Sequence, residues 1–218
     1  MRWLLKFWDS TVGKKVVMGV TGIGLMAFLL VHMAGNLQMF LGADAMRRYA
    51  ELLRTSEELL WVARLGLIGM AVLHIVAALQ LTAINAKARP EGYARKVPQV
   101  STLASRTMRL GGILLAAFIV YHLGHLTLGW FHPALVHLQP YGNVIIGFRS
   151  PLVVAFYVVA MFFLGLHLFH GAWAGFRTLG LAKRSAEPLQ RAFALWFAVI
   201  VSAGFALIPI AVYLGILA

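Results

Sequence analysis

The chain has 218 residues, of which 61% are hydrophobic and 12% are charged, and its mean hydropathy is +0.83. A soluble domain is about half apolar and about a quarter charged, so this composition indicates that a lipid bilayer is the main solvent. The formal net charge of +12 is divided among short loops that do not resemble a recognition module, which argues against nucleic-acid binding. The lack of cysteine excludes disulfides, thiolate metal sites and iron–sulfur clusters ligated by this chain.

Five long apolar runs predict an all-α integral membrane protein. A basic amphipathic stretch, "MRWLLKFWDSTVGKK", precedes the first run and predicts a segment at the membrane surface. Each run exceeds the ~20 residues that a helix needs to cross the hydrocarbon layer, and none alternates with the period of a barrel strand. We predict a single membrane domain over residues 1–218, with spans at about 16–41, 59–86, 108–131, 151–176 and 192–218.

The connections between the spans differ in character. Residues 42–58 have helical periodicity and mixed charge, which predicts a helix on the outer surface. Residues 87–107 contain two prolines and a glycine and predict an inner loop, whereas 132–150 predict an irregular outer loop. Pro209 predicts a kink in the fifth span, which has no histidine and is expected to pack or shield.

Basic residues are concentrated on one side of the predicted membrane. The N-terminal segment, the 87–109 connection and the 177–191 connection together hold 14 of the 19 lysines and arginines. The positive-inside rule then predicts a multi-pass protein of the inner (cytoplasmic) membrane with its N-terminus in the cytoplasm and its C-terminus outside. Lipid headgroups or an acidic soluble partner are candidate contacts for this charge.

Histidines recur inside the first four spans, where acidic side chains are missing from the interior. The six are His32, His74, His122, His125, His167 and His170. A proton or cation pathway usually brings Asp or Glu into the membrane, so imidazole is the predicted working group. Neutral imidazole is the commonest metal ligand, and a heme iron accepts one imidazole on each face. The pattern therefore predicts a four-helix bundle that holds two bis-histidine hemes between its helices.

Depth along the helices suggests how the histidines pair. At about 1.5 Å of rise per residue, His74 and His167 lie nearer the cytoplasm, and His32 and His122 lie nearer the outside. On depth alone, His125 could replace His122, and His170 could replace His167. A lone membrane histidine can also simply hydrogen-bond a neighbouring helix, and for His125 and His170 such a contact is the better interpretation. His132 and His137 fall in the outer loop, where solvation is expected.

The sequence resembles the five-helix diheme cytochrome b membrane anchor of succinate dehydrogenase and fumarate reductase. The resemblance covers nearly the whole chain, and five stretches carry it: "STVGKKVVMGVTG", "FLLVHMAGNLQMF", "MAVLHIVAAL", "FIVYHLGHL" and "LHLFHGAWAGFRTLG". In the family, the last ligand lies four residues before the glycine of a G-x-W element, which here begins at Gly171. The resemblance therefore implies His167 rather than His170 as ligand, and the aromatic run before His122 favours it over His125.

The resemblance implies two b hemes, a quinone (menaquinone or ubiquinone) and docking to a flavoprotein and an iron–sulfur subunit on the cytoplasmic face. Electrons would pass between succinate or fumarate and the quinone, and this chain alone would not oxidise succinate. Candidate contacts of the inner heme's propionates are Lys14, Lys15, Arg106 and Arg177, with His125 and His170 as further cofactor contacts. Docking or lipid contact is the alternative role for the four basic residues.

Quinone contacts are also expected by resemblance. In relatives, an acidic residue in the first outer connection serves quinone chemistry, and Glu57 is the nearest match, with Glu51 and Glu58 close by. Ser10 and Thr11 are candidates for an inner-side quinone site. Some relatives carry a glutamate two residues before the last ligand for transmembrane proton movement. This chain has Gly165 there, so that residue cannot serve such a role.

Two other functions remain open from the sequence. One is the diheme cytochrome b anchor of another respiratory dehydrogenase, of the formate dehydrogenase or hydrogenase type. The other is a heme-free transporter that uses its histidines to bind a cation.

Overall fold

The computed structural model describes residues 2–88 and 102–218, and it contains helices and no strand within these ranges. Five helices are long and apolar enough to cross a membrane. The predicted all-α, multi-pass architecture is therefore confirmed. The predicted inner loop at 87–107 falls largely outside the described residues, as do its basic residues Arg89, Arg95 and Lys96.

Eight α-helices follow one another in the described residues. They are α1 (Arg2–Asp9), α2 (Thr11–Asn36), α3 (Ala43–Leu52), α4 (Glu57–Lys87), α5 (Leu103–Leu126), α6 (Pro140–Gly147), α7 (Pro151–Thr178) and α8 (Glu187–Tyr213). A short 3₁₀ helix, Leu37–Leu41, extends α2, and another, Arg184–Ala186, precedes α8. The spanning helices are α2, α4, α5, α7 and α8.

The N-terminal amphipathic stretch forms its own helix, α1, whose side chains are almost all exposed. Ser10 separates it from α2, since its hydroxyl donates to the Phe7 carbonyl (2.8 Å) and accepts the N–H of Gly13 (2.9 Å). This is an N-cap that satisfies one of the free N–H groups at the start of α2. A Cβ at position 13 would overlap the Phe7 carbonyl, so the turn between the two helices requires glycine there.

The spanning helices pack as two pairs joined along one side. Helix α2 packs against α4, α5 packs against α7, α2 also meets α7, and α8 covers α7 and part of α2. In contrast, α2 and α5, and likewise α4 and α7, approach each other only at scattered points over the described residues. Between α2 and α5, and between α4 and α7, side chains therefore reach across the bundle, and the backbones do not pack closely.

Several predicted boundaries differ from the helices observed. The third spanning helix begins at Leu103, after the Thr102 cap, and ends at Leu126, whereas the predicted span was 108–131. The outer connection predicted to be irregular over 132–150 contains α6, with Pro140 in its first turn. The Asn143 side chain fixes the rest of that loop by bonding both the N–H (2.8 Å) and the carbonyl (2.7 Å) of Val136.

Helix α8 packs through small residues, as membrane helices without an aqueous driving force commonly do. Its buried positions include Ala194, Ala198, Val201 and Gly204. Pro209 lies inside α8, which continues to Tyr213. On the facing helix, a Cβ at Gly165 would lie 3.0 Å from the Ser202 hydroxyl, so position 165 faces α8. The fifth spanning helix thus contributes packing around the histidine-bearing bundle.

The close approach at Gly204 gives a test of this packing. A Cβ there would overlap the Met33 thioether, so Gly204→Ala should displace this buried side chain from between α2 and α8 and cost about 1–3 kcal/mol of stability. The measurement is the apparent Tm in detergent, followed by circular dichroism. Gly66→Ala is the matched control, because nothing lies within 4 Å of a Cβ at that position. Equal melting of the two variants would contradict the packing described.

Candidate functional site

Four of the six membrane histidines form two pairs across the bundle. His32 on α2 and His122 on α5 have ring centroids 6.1 Å apart, with the ring planes at 82°. His74 on α4 and His167 on α7 have centroids 6.3 Å apart, with the planes at 58°. Each pair joins two helices whose backbones do not pack closely. These are the same pairs that depth along the helices predicts, and their role as ligands remains a prediction.

The spacing within each pair suits a metal ion held between two axial imidazoles. A metal–imidazole bond is about 2 Å long and each nitrogen lies about 1.1 Å from its ring centroid, so linear coordination separates the centroids by about 6 Å. The observed separations are 6.1 and 6.3 Å. Among the described residues no cluster of three or more His, Asp or Glu side chains that could hold a metal ion occurs.

The two pairs lie at different levels of the bundle. The level of His74 and His167 is called inner and that of His32 and His122 outer, after the orientation predicted from the sequence. A Cβ at Gly22 on α2 would lie 3.2 Å from the His74 ring, and His32 follows ten residues later on the same helix. On α5, a Cβ at Gly112 would lie 3.8 Å from the His167 ring, and His122 again follows ten residues later. Ten residues correspond to about 15 Å of helix, so both helices give the same vertical separation.

At the inner level, hydrogen bonding leaves one nitrogen of His74 available. Its Nδ1 lies 3.0 Å from the carbonyl of Met18 and 3.3 Å from the Thr21 hydroxyl. A ring nitrogen that donates to a carbonyl carries the proton, so Nε2 is then the unprotonated nitrogen that can bind a metal. The Nδ1 of His167 is buried and has no hydrogen-bond partner among the described residues.

At the outer level, each ring is held by its neighbours. His32 stacks on Phe28, with centroids 5.1 Å apart and planes at 13°, and the Asn36 amide lies within 3.4 Å of both ring nitrogens. His122 stacks on Phe118 and places its Nδ1 3.3 Å from the Tyr157 hydroxyl. These contacts orient both rings within an aromatic layer.

The geometry favours His122 and His167 over their neighbours His125 and His170. The His125 ring is 2% exposed and turns toward Tyr157, whose hydroxyl lies 3.0 Å from its Nδ1. It is also stacked on Tyr121 rather than facing a histidine on α2. His170 is partly buried, and the ring that faces His74 across the bundle is that of His167.

His132 is not solvated, contrary to the expectation from its position in the outer loop. It is only 5% exposed, its ring centroid lies 5.3 Å from that of His125, and neither ring nitrogen has a hydrogen-bond partner among the described residues. The chain reverses at Gly129, whose φ of +72° suits glycine, and the His132 N–H then bonds the Gly129 carbonyl. This turn folds the side chain inward, whereas His137 stays exposed as expected.

Two of the four basic candidates meet at the cytoplasmic end predicted for the bundle. Lys15 and Arg177 line one surface cavity of about 350 Å³, next to Thr178. Arg177 also lies over the Trp173 ring and pairs with Glu187 (3.3 Å). Arg106 is exposed in the first turn of α5.

Lys14 differs from the other three basic candidates. Its side chain is buried, and its ammonium donates to the carbonyl of Trp8 at 2.6 Å. It therefore fixes α1 against α2 instead of facing the cavity.

The structure does not bring the quinone candidates together. Ser10 uses its hydroxyl as the cap of α2, and Thr11 is the exposed first residue of that helix, beside the cavity residue Val12. Glu57 is exposed in the first turn of α4, at the opposite end of the bundle. Nothing in their contacts assigns them a ligand.

Tyr157 and His132 were not predicted as functional residues from the sequence, and both lie next to His125 near the outer pair. Tyr157 is 5% exposed in the middle of an apolar span, and a buried hydroxyl there needs a partner. That requirement was the available signal for Tyr157. The burial of His132 depends on how the outer loop folds, for which the sequence carries no comparable pattern.

The contrast between the two loop histidines can be tested by chemical modification. Diethyl pyrocarbonate should modify His137 readily and leave His132 protected, since one imidazole is exposed and the other is 5% exposed. Peptide mass spectrometry of the detergent-purified protein gives the two reaction rates. The variant His137→Asn, in which the fast reaction should disappear, is the control. Equal rates at both histidines would show that the outer loop is open.

Comparisons with known proteins do not assign this site. No family model matches the chain, and no curated protein or solved structure is significantly similar to it. A function for the site is therefore inferred from its residues and their geometry.

Proposed function

We propose that this protein is the membrane anchor and electron-transfer subunit of a respiratory succinate:quinone oxidoreductase (complex II), and that it binds two b hemes. The observation that carries the proposal is the pair of cross-bundle imidazole contacts, at 6.1 and 6.3 Å between ring centroids. Both separations would allow the two imidazoles of a pair to hold one heme iron between them. The sequence resemblance supplies the choice of enzyme.

The residues present fit a flat, bulky group between the rings. Gly22 and Gly112 stand beside the inner imidazoles. A Cβ at Gly22 would crowd the His74 ring at 3.2 Å, and one at Gly112 would be in ordinary contact with the His167 ring at 3.8 Å. The inner histidine His74 has its Nδ1 occupied by a backbone carbonyl, which orients the ring and raises the basicity of the free nitrogen. The buried Nδ1 of His167 is unsatisfied without a partner, which is consistent with a site that gains contacts from a bound group.

In this proposal the bound hemes supply reversible one-electron transfer, and the protein supplies position and polarity. His74 and His167 would hold the inner heme, and His32 and His122 would hold the outer one. A vertical separation of about 15 Å between the two levels makes the bundle a path for electrons across the membrane. Lys15 and Arg177 offer positive charge to anionic propionates at the inner end.

The partners are those that the resemblance implies, and the composition of the chain is compatible with them. The chain has no cysteine, so an iron–sulfur carrier would belong to another subunit, and a flavoprotein would complete the succinate site. We place both on the basic, cytoplasmic side, with the N-terminus of this chain in the cytoplasm and its C-terminus outside. The electron acceptor or donor within the membrane is a quinone, either menaquinone or ubiquinone, and membrane lipid surrounds the exposed apolar faces.

Heme content tests the ligand assignment. The purified protein should contain two low-spin b hemes, His167→Ala should lose the inner one and His32→Ala the outer one, so that each variant keeps about half the heme. The measurement is the pyridine hemochrome assay together with the reduced-minus-oxidised spectrum. His137→Ala is the control and should keep both hemes, because His137 is exposed in the outer loop.

The outcomes separate the alternatives. Full heme content in His32→Ala or His167→Ala would show that the assigned ligands are wrong. A folded but colourless wild-type protein would contradict the proposal and favour the heme-free transporter.

Copurification tests the choice of enzyme. The tagged chain, extracted from its native membrane with a mild detergent, should bring down a flavin-containing subunit and an iron–sulfur subunit with succinate dehydrogenase activity. A diheme protein that instead brings down formate- or hydrogen-oxidising activity would assign the chain to the alternative class of anchor. Mass spectrometry of the complex and an activity assay with each donor distinguish these results.

A further inference from the structure

The Tyr157 hydroxyl, on α7, lies between two histidines of α5. It is 3.3 Å from Nδ1 of His122 and 3.0 Å from Nδ1 of His125. The tyrosine ring is 5% exposed and is held edge-on by Phe118 (5.0 Å) and Phe148 (4.7 Å) between centroids. Water has little access, so the two imidazoles are the hydrogen-bond partners that the structure gives this hydroxyl.

Counting protons fixes the direction of these hydrogen bonds. A hydroxyl has one proton, so it can donate to one of the two nitrogens and must accept from the other. If His122 binds a metal through Nε2, its Nδ1 carries a proton and donates to the Tyr157 oxygen. The hydroxyl proton then goes to His125, whose Nδ1 must be unprotonated. The Tyr157 hydroxyl and the Nδ1 atoms of both histidines are thereby satisfied in one polarised chain.

We propose that Tyr157 and His125 are positioning residues that lower the reduction potential of the outer heme, an inference that rests on the proposed function. By accepting the N–H of His122, the phenol oxygen increases electron density on the ligating imidazole, which stabilises the oxidised iron. His125 strengthens the effect, because a hydroxyl that donates a hydrogen bond becomes a better acceptor. His125 thus has a role without being a ligand.

The inner level is arranged differently, with no tyrosine or second histidine bonded to a ligand candidate among the described residues. There the Nδ1 of His74 lies near the Met18 carbonyl and the Thr21 hydroxyl, and the Nδ1 of His167 has no partner among those residues. The chain of side chains at the outer level is therefore a feature that sequence changes can remove without touching the inner pair.

The test is a spectroelectrochemical redox titration of the purified, heme-loaded Tyr157→Phe variant. The outer heme should titrate at a higher potential than in the wild type, and the inner heme should be unchanged, since only the outer ligand loses its acceptor. The single-heme variants His32→Ala and His167→Ala identify which wave belongs to which heme. A purely structural loss would reduce heme content instead of moving one potential.

Tyr121→Phe is the matched control. Tyr121 belongs to the same aromatic layer, stacks on His125 and contacts Tyr157 edge-on at 6.1 Å, but its hydroxyl bonds neither histidine. Removing that hydroxyl should leave both potentials unchanged. An equal shift in the two tyrosine variants would overturn the proposal, since it would show a general effect of polarity or packing.

Changes at His125 test the second half of the chain. His125→Leu should shift the outer potential in the same direction as Tyr157→Phe but by less, because Tyr157 can still accept from His122. His125→Asn should restore it toward the wild-type value, since the amide oxygen can accept the hydroxyl proton. If Tyr157→Phe does not bind its outer heme, this pair of variants carries the test.

The failure of this inference and that of the proposed function give different results. A wild-type protein without heme would refute the proposed function. A diheme protein in which neither Tyr157→Phe nor His125→Leu moves the outer potential would refute the inference alone.

Discussion

Imidazole rings meeting across an apolar bundle are the constraint on which the rest of this structure depends. A polar ring inside a membrane must find a partner, because hydrocarbon offers none. Here the Nδ1 atoms of His74 and His122 face the Met18 carbonyl and the Tyr157 hydroxyl, and the Asn36 amide lies beside His32. Each ring also faces a ring on a helix that does not pack directly against its own. The packing of α2 on α4 and of α5 on α7, with α8 outside, keeps α2 apart from α5 and α4 apart from α7.

The five spanning helices were predicted from the sequence, but the residues at which they begin and end were predicted less accurately, for a physical reason. Apolar runs report the part of a helix that contacts lipid, whereas the helix itself starts at its capping residue. Thus α5 begins after Thr102, whose hydroxyl accepts the Ser105 N–H (3.2 Å). The helix therefore includes polar residues that precede the predicted apolar span at 108–131. Its other end is set by the turn at Gly129, which no apolar pattern encodes.

The sequence predicts which helices have histidines that pair, but it does not decide between a histidine and its neighbour three residues away. Rise per residue places His74 with His167 or His170, and His32 with His122 or His125. His122 and His125 lie three residues apart on nearly the same face of α5, and both contact the Tyr157 hydroxyl. Only the folded structure separates them, since His122 faces the His32 ring whereas His125 stacks on Tyr121. The inward turn of His132 likewise depends on the folded outer loop, where Asn143 closes the chain onto Val136.

The repeated interval between a glycine and a histidine on α2 and α5 has a consequence for how this chain can vary. On each of these helices the glycine lies at one level and the histidine at the other. The ten-residue interval therefore sets the distance between the two levels. Inserting one residue within it would turn everything beyond by about 100° and lift it by about 1.5 Å. Residue types between the glycine and the histidine can therefore change, but the number of residues between them cannot.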